Sequence, residues 1–194
     1  MSTTGISLRP ARGEDAAQIE ALQQASLRGL GARFYPPEAI ESAIAQGMVD
    51  EALLESGYLY LAETDSRLVG CGGWHPTAIA PISLESLYSD CGLAAPREQL
   101  SAKIRSVFVH PEWAGRGIGR RLMRHVEAEA VEAGYRHFEM LSSLPGAVLY
   151  QRLGYRARAM LTMPVGDDAA LAMIHMEKVA AGDDPLGAER ARAA

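Results

Sequence analysis

The 194-residue sequence contains only two cysteines, Cys71 and Cys91, and no CxxC pair. One pair of cysteines does not make the framework of a disulfide-rich domain, and a structural zinc site needs more closely spaced ligands. We therefore expect two reduced thiols. The five histidines never show the HxxxH spacing of a helical metal site, so we also expect no bound metal.

Long hydrophobic runs are also missing. No stretch of about 18 apolar residues could cross a bilayer, and the first residues lack the apolar core of a signal peptide. These features predict a cytoplasmic protein that does not associate with a membrane.

The sequence has no excess of basic charge. Its 19 Lys and Arg residues against 24 Asp and Glu residues give a formal net charge of −5. A net acidic chain repels the phosphates of a nucleic acid, so we do not expect nucleic-acid binding. Hydrophobic residues make up 48% and charged residues 22% of the chain, which is typical of a globular domain. We expect one domain over residues 1–181 and a flexible, polar tail at 182–194.

The order of the predicted elements is that of a mixed α/β domain. Period-two patterns and β-branched residues predict strands, and apolar residues at helical spacing predict helices. Strands are expected at 6–12, 58–63, 67–74, 103–109, 137–142, 155–165 and 170–179, and helices at 13–31, 36–47, 120–133 and 145–153. This pattern predicts a mixed central sheet of about six to seven strands flanked by about four helices. Residues 75–100 show no clean period and are expected to form a long loop.

A glycine-rich turn separates the strand at 103–109 from the helix after it. Residues 115–120 read Gly-Arg-Gly-Ile-Gly-Arg. Glycines let the backbone approach an anion closely, and the free N–H groups at the start of a helix attract phosphate. The pattern is neither a P-loop, because Gly119 is followed by Arg120, nor a complete GxGxxG fingerprint. Taken alone, it fits a phosphate site and a simple tight turn equally well.

A second motif follows at 149–155, which reads Leu-Tyr-Gln-Arg-Leu-Gly-Tyr. With the strand and glycine turn at 107–120, it makes the sequence resemble the GNAT superfamily of acyl-CoA-dependent N-acetyltransferases. The resemblance extends over the order of elements from 6 to 179. The sequence departs from the family pattern at Ala114, where Arg or Gln is frequent, and at Pro145-Gly146, where Asn-Ala is frequent.

The resemblance implies a GNAT-like fold in which two parallel strands in the middle of the sheet splay apart around the pantetheine arm of acetyl-CoA. Tyr150 matches the family's general acid, which protonates the departing CoA thiolate. The backbone N–H of Val109 would stabilise the oxyanion. The residues that the resemblance implies for binding acetyl-CoA are Val107, Phe108, Val109, Gly115, Arg116, Gly117, Ile118, Gly119 and Arg120.

The implied function is transfer of an acetyl group from acetyl-CoA to a primary amine of a small molecule or a peptide, by direct attack. The general base stays open among Glu139, His75, His110 and Glu85. Two other interpretations also stay open: a non-catalytic acyl-CoA-binding regulatory module of the same fold, and a domain in which the glycine turn binds nothing. An exposed strand edge would allow a homodimer.

Charge is distributed unevenly along the chain. Residues 101–124 contain six basic residues and one acidic residue, whereas residues 1–100 contain six basic and 13 acidic residues. The basic segment suits the phosphates of the donor, and the acidic half predicts a cationic amine as acceptor. We expect the acceptor to enter near residues 30–37, with Tyr88, Glu85 and Asp90 as possible contacts.

Overall fold

A computed structural model describes residues 5–65, 67–76, 84–94 and 101–180, except for the side chain of Glu85. Its seven strands form one sheet in the order β1-β2-β3-β4-β5-β7-β6. All neighbouring strands are antiparallel except β4 and β5. The strands are β1 Ser7–Pro10, β2 Leu59–Thr64, β3 Arg67–Pro76, β4 Ser101–Val109, β5 His137–Ser143, β6 Arg156–Pro164 and β7 Ala170–Val179. The α-helices are α1 Ala16–Gly31, α2 Pro37–Ala45, α3 Glu51–Ser56, α4 Leu84–Asp90, α5 Ile118–Glu132 and α6 Ala147–Arg152.

The expected α/β class and the seven-stranded sheet are confirmed, and two short helices were not expected. α3 has only six residues, too few to show a helical period. It is stabilised at its start by Asp50, whose carboxylate accepts the N–H of Leu53 at 3.0 Å, and it ends at Gly57 with φ +79°. α4 lies within the segment expected to be a loop. The expected boundary between 181 and 182 lies outside the described residues.

α5 packs against the sheet through the apolar face that its sequence predicts. Leu122, Met123 and Val126 are fully buried. Close packing on β3 depends on Gly70, where a Cβ would lie 2.9 Å from Ile118 Cγ2. This contact holds the start of α5, and with it the glycine turn, directly beside the sheet. No helix in the described ranges combines the length and hydropathy that crossing a bilayer requires.

Both cysteines are free in the structure. Cys71 is fully buried on β3. Burial raises the pKa of its thiol to about 12, so the group stays protonated and is a poor nucleophile.

Candidate active site

β4 and β5 separate after a short parallel pairing. The register runs from Ser101 opposite His137 to Lys103 opposite Glu139 and then ends. β4 continues beside β3, whereas β5 continues beside β7. The two central strands therefore diverge as a V, as the resemblance implied.

A cavity of about 1180 Å³ occupies the opening of this V. Its wall comes from both diverging strands, the glycine turn and α6, and on the other side from α1, α2, α4 and the β6–β7 hairpin. A cavity of this size exceeds the usual range for a drug-sized ligand, about 300–1,000 Å³. Nine of the ten implied site residues lie on the wall, and Arg116 does not: the nine are Val107, Phe108, Val109, Gly115, Gly117, Ile118, Gly119, Arg120 and Tyr150.

The glycine turn presents backbone donors at the start of α5. Gly115 and Gly117 have φ values of +74° and +83°, a left-handed conformation that other residues adopt only with strain. The N–H of Arg121 reaches the carbonyl of Gly117 at 3.0 Å. The N–H groups of residues 118–120 therefore have no carbonyl partner within the helix. The cap residue, Gly117, has no side chain that could accept from them. This arrangement fits a phosphate group.

Two contacts support the glycine turn. The guanidinium of Arg116 lies over the ring of Trp113, with Cζ 4.6 Å from the ring centroid, so its charge stays beside the turn without lining the cavity. A Cβ on Gly119 would lie 2.8 Å from Leu149 Cδ2. The absence of a side chain at Gly119 therefore lets α6 pack directly against the turn.

The backbone of β4 directs hydrogen-bonding groups into the gap. The N–H of His110 donates to the carbonyl of Val69 on β3 at 2.9 Å. Because successive residues of a strand point to opposite edges, the N–H and C=O of Val109 face the side of β5, where no described strand pairs with them. A β-bulge lies just before this position. At the bulge Ser106 has φ +54°, and the thiol of Cys71 donates to its carbonyl at 3.1 Å.

Tyr150 lies on the cavity wall near the middle of α6. Its side chain is 6% exposed and packs edge-on against Tyr155, with 6.0 Å between ring centroids. Burial raises the pKa of the Tyr150 hydroxyl, and the nearby Cys71 adds to the effect. The phenol therefore stays protonated at neutral pH and is able to donate a proton.

Of the four candidate bases, Glu139 alone is found on the described cavity wall. His75 is buried in β3, and its Nδ1 lies 3.0 Å from the carbonyl oxygen of the next residue. His110 accepts the N–H of the second residue after it at 3.3 Å, which stabilises the turn that begins there. The side chain of Glu85 lies outside the described residues.

The end of the cavity away from the glycine turn is lined mostly by apolar side chains. Its described wall contains one acidic side chain, Glu139, beside the basic Lys103 and Arg105, and Arg105 is paired with Asp50 at 3.0 Å. No acidic residue of the first hundred is found on the described wall. The described ranges also contain no group of three metal-ligating side chains. Apolar members of this end include Leu27, Leu30, Leu87, Leu141, Leu171 and Met173.

Tyr35 joins three elements on this side of the cavity. Its hydroxyl donates to the carbonyl of Ala172 on β7 at 2.9 Å and accepts the N–H of Leu144 at 2.7 Å. The loop between α1 and α2 is thereby held against the sheet, and Leu30 and Tyr35 both line the cavity. No local signal in the sequence distinguishes Tyr35 from any other loop tyrosine.

Comparisons with known proteins identify the family and the fold. A family model described as an acetyltransferase (GNAT) domain matches residues 55–157, just over half of the chain. A GCN5-related N-acetyltransferase from Rhodopseudomonas palustris is 24% identical, with a TM-score of 0.68 over 92% of this chain and 98% of that one. The PaiA N-acetyltransferase of Thermoplasma acidophilum, solved with coenzyme A, is 19% identical, with a TM-score of 0.63 over 92% and 99%.

A polyamine N-acetyltransferase from Drosophila melanogaster has the same fold. It is 17% identical, with a TM-score of 0.59 over 90% of this chain and 99% of that one. No curated protein matches the chain significantly. The matched residues 55–157 include the glycine turn and Tyr150, whereas α1, α2 and β7, which line the apolar end of the cavity, lie outside that range.

Proposed function

Because the chain belongs to the GNAT family of acetyltransferases, we propose that it transfers an acetyl group from acetyl-CoA to a primary amine, with Tyr150 as the general acid. One observation carries this proposal: a single cavity between the diverging strands contains the glycine turn at one end and Tyr150 on its wall. The solved complex of a structural relative with coenzyme A supports the choice of donor.

The donor half of the cavity has groups that suit acetyl-CoA. The N–H groups of residues 118–120 would bind the pyrophosphate, with Arg120 beside them. The unpaired backbone groups of Val109, and those of Val107 before it, would bind the pantetheine arm as an added strand does. These contacts use backbone atoms, so they tolerate the departure from the family pattern at Ala114.

The reaction follows from the groups on the wall. The neutral amine attacks the acyl carbon, and a C–N bond forms as the C–S bond breaks. The N–H of Val109 would stabilise negative charge on the acyl oxygen. The hydroxyl of Tyr150 would donate its proton to the departing sulfur, which leaves as a thiol, and the phenolate then regains a proton from solvent. The attacking nitrogen loses one proton as the amide forms, which balances the proton returned to Tyr150, so the net release is the one proton that the substrate ammonium gives up to become the neutral amine.

The acceptor end favours an amine on an apolar body. A second ammonium group would meet Lys103 and Arg105 on a wall with one described carboxylate, that of Glu139. Burying an unpaired charge against this wall costs roughly several kcal/mol, even after the surrounding groups relax. The wall therefore favours a hydrophobic monoamine over a polyamine, in contrast to the acceptor named for the Drosophila relative.

The test is release of free CoA thiol from acetyl-CoA with pairs of amines of equal length. Comparing hexylamine with 1,6-diaminohexane isolates the effect of a second ammonium group. Comparing phenethylamine with agmatine shows whether an aromatic or a cationic substituent is preferred. We expect the monoamine of each pair to have a kcat/KM about tenfold or more above its partner, which corresponds to about 1.4 kcal/mol.

Three outcomes are distinguishable. Preference for the diamine and agmatine would overturn the acceptor class but not acetyl transfer. Acetyl-CoA that raises the melting temperature but reacts with no amine would indicate the non-catalytic binding module. No response to acetyl-CoA in either assay would mean that the glycine turn is only a turn.

A further inference from the structure

Two basic side chains lie on the same face of β4, at the point where β4 and β5 begin to separate. Lys103 and Arg105 are two residues apart, so they project from the same face of the strand, and both line the cavity. Their side chains are 13% and 25% exposed. Neither is explained by acetyl-CoA binding, because the groups that suit the donor lie on the glycine turn and further along β4.

The N–H donors of these two side chains have no hydrogen-bond acceptor among the described residues. The ammonium of Lys103 lies 3.7 Å from Glu139 Oε1, which is beyond hydrogen-bond distance. The Nε of Arg105 lies 3.0 Å from Asp50 Oδ2, yet this oxygen receives no aligned hydrogen bond from any described donor. Partly buried donors normally find acceptors, so the two groups keep N–H donors for a bound molecule.

The carboxylates beside the two basic side chains are held by other donors. Glu139 Oε1 accepts the hydroxyl of Ser101, and Asp50 Oδ1 accepts a backbone N–H at the start of α3 at 3.0 Å. Both carboxylates are therefore anchored in the protein, and they offset the positive charges without using their N–H groups. A molecule that meets this part of the wall needs hydrogen-bond acceptors, since Lys and Arg side chains only donate.

A carboxylate fits Arg105 better than other acceptors do. The planar guanidinium binds both oxygens of a carboxylate through parallel hydrogen bonds, which are shorter and stronger than those to a neutral group. Asp50 contacts the guanidinium at Nε, so the terminal nitrogens remain for the ligand. An ammonium group in the same place would leave the N–H groups without acceptors and would repel them.

The position of Arg105 also determines how far the carboxylate lies from the reacting amine. Four residues of strand, about 13 Å at the usual rise, separate Arg105 from Val109, whose N–H would contact the acyl oxygen. The arginine side chain spans only part of this distance. We therefore expect the amine and the carboxylate on different carbons, joined by an apolar spacer that packs against the apolar side chains of the wall.

We propose that Arg105, with Lys103 beside it, binds the carboxylate of an acceptor whose primary amine lies at the other end of an apolar spacer. This inference rests on the proposed acetyl transfer and names the class of acceptor, an ω-amino carboxylate. Arg105 is then a specificity-determining residue, and Asp50 is a positioning residue that holds its guanidinium. The acetyl transfer itself is unchanged, because the carboxylate takes no part in forming or breaking bonds.

The test compares three six-carbon amines by release of CoA thiol: 6-aminohexanoate, 6-aminohexanamide and hexylamine. They present the same primary amine and differ at the far end. With the wild-type protein, kcat/KM for the acid should exceed that for hexylamine about tenfold or more, as expected for hydrogen bonds to a charged group. The amide should stay close to hexylamine. The carboxylate of 3-aminopropanoate is too near its amine to reach Arg105, so this acid should have no advantage over propylamine.

Variants assign the preference to Arg105. Arg105→Gln should reduce the ratio of kcat/KM for the acid to that for hexylamine to about one, and Arg105→Lys should keep part of it. The ratio is taken within one preparation, so partly unfolded protein lowers both rates and leaves the ratio unchanged. Stabilisation by acetyl-CoA, measured for every variant, reports an intact fold and donor site.

Arg67→Gln is the matched control. Arg67 also pairs with a carboxylate, that of Glu112 at 3.3 Å, but its side chain is 57% exposed and does not line the described cavity wall. Its ratio should equal that of the wild type.

Each contrary outcome has its own meaning. Equal kcat/KM for the acid and hexylamine in the wild type would overturn the carboxylate site, and an amide as good as the acid would show that the charge is not recognised. An unchanged ratio in Arg105→Gln would overturn the role of Arg105. In all three cases the proposed acetyl transfer stands. If the wild-type protein acetylates none of the amines tested, the proposed function fails and this inference fails with it.

Discussion

The ring of Tyr150 occupies space that a Cβ on Gly146 would need. Such an atom would lie 2.8 Å from Cε2 and 3.4 Å from Cζ of the tyrosine. Gly146 is also where the sequence departs from the family pattern, in which Asn-Ala is frequent. The departure and the candidate acid are therefore linked, since the missing side chain admits the ring to its present position.

Gly146→Ala should lower kcat about tenfold and leave the KM for acetyl-CoA nearly unchanged. The added methyl group displaces the Tyr150 ring by several tenths of an ångström, and small misplacements of a reacting group have large effects on rate. Steady-state kinetics would measure the change. Gly13→Ala is the control, because nothing lies within 4 Å of its Cβ position. Equal kcat for the two variants would mean that the position of Tyr150 is not critical.

Tyr150→Phe should lower kcat about 100-fold or more, which is the usual contribution of a general acid. The affinity for acetyl-CoA, measured by calorimetry, should not change, because the phenol acts on the departing sulfur. Tyr155→Phe removes a similar hydroxyl from the adjacent ring, which is 2% exposed and not on the cavity wall. It should retain wild-type kcat, and similar losses in both variants would contradict the role of Tyr150.

Gly117→Ala should weaken acetyl-CoA binding about tenfold or more. The φ of +83° strains any other residue by about 1–2 kcal/mol, so the turn relaxes and its N–H groups move. Gly134→Ala, at the other end of α5 with φ +95°, carries the same strain away from the cavity. Both variants should lose similar stability in urea, but only the first should lose affinity. Equal affinity would remove the glycine turn from the donor site.

Asp15 should contribute to stability in a pH-dependent way. Hydrogen bonds from Arg9, at 2.7 and 2.8 Å, outweigh burial and lower the pKa of its carboxyl. Its contribution is therefore complete above the unfolded-state pKa, about 3.9, and is lost as pH falls through the lower folded-state value. Asp15→Asn should cost about 1–3 kcal/mol at pH 7 and flatten the acid decline in stability.

Urea unfolding at several pH values would measure this effect. Glu14→Gln is the control, because the Glu14 side chain is 76% exposed and its pair with Arg12, at 3.6 Å, is exposed too. It should leave both the stability and its pH dependence nearly unchanged. Parallel stability curves for Asp15→Asn and the wild type would contradict the assignment.

Local sequence patterns predicted the seven strands, the apolar face of α5 and the place of the glycine turn. Each depends on residues close together in the chain, where a period of two or of 3.6 is visible. Short helices left no such period, which is why α3 and α4 were missed. The motif at 149–155 also predicted Tyr150 as a site residue, and the structure places Tyr150 on the cavity wall.

What the tertiary structure alone decided is which distant side chains meet. The sheet order inserts β7 between β5 and β6, and so brings His175 beside Glu139, while α4 places Tyr88 against the same imidazole. The acidic residues in excess among residues 1–100 do not line the described cavity wall. A count of charges along the chain does not tell which side chains will face a cavity. The sequence alone therefore determined the strands, the longer helices and the donor motifs, because these are local. The surroundings of Glu139 and the lining of the cavity depended on the packing of segments far apart in the chain.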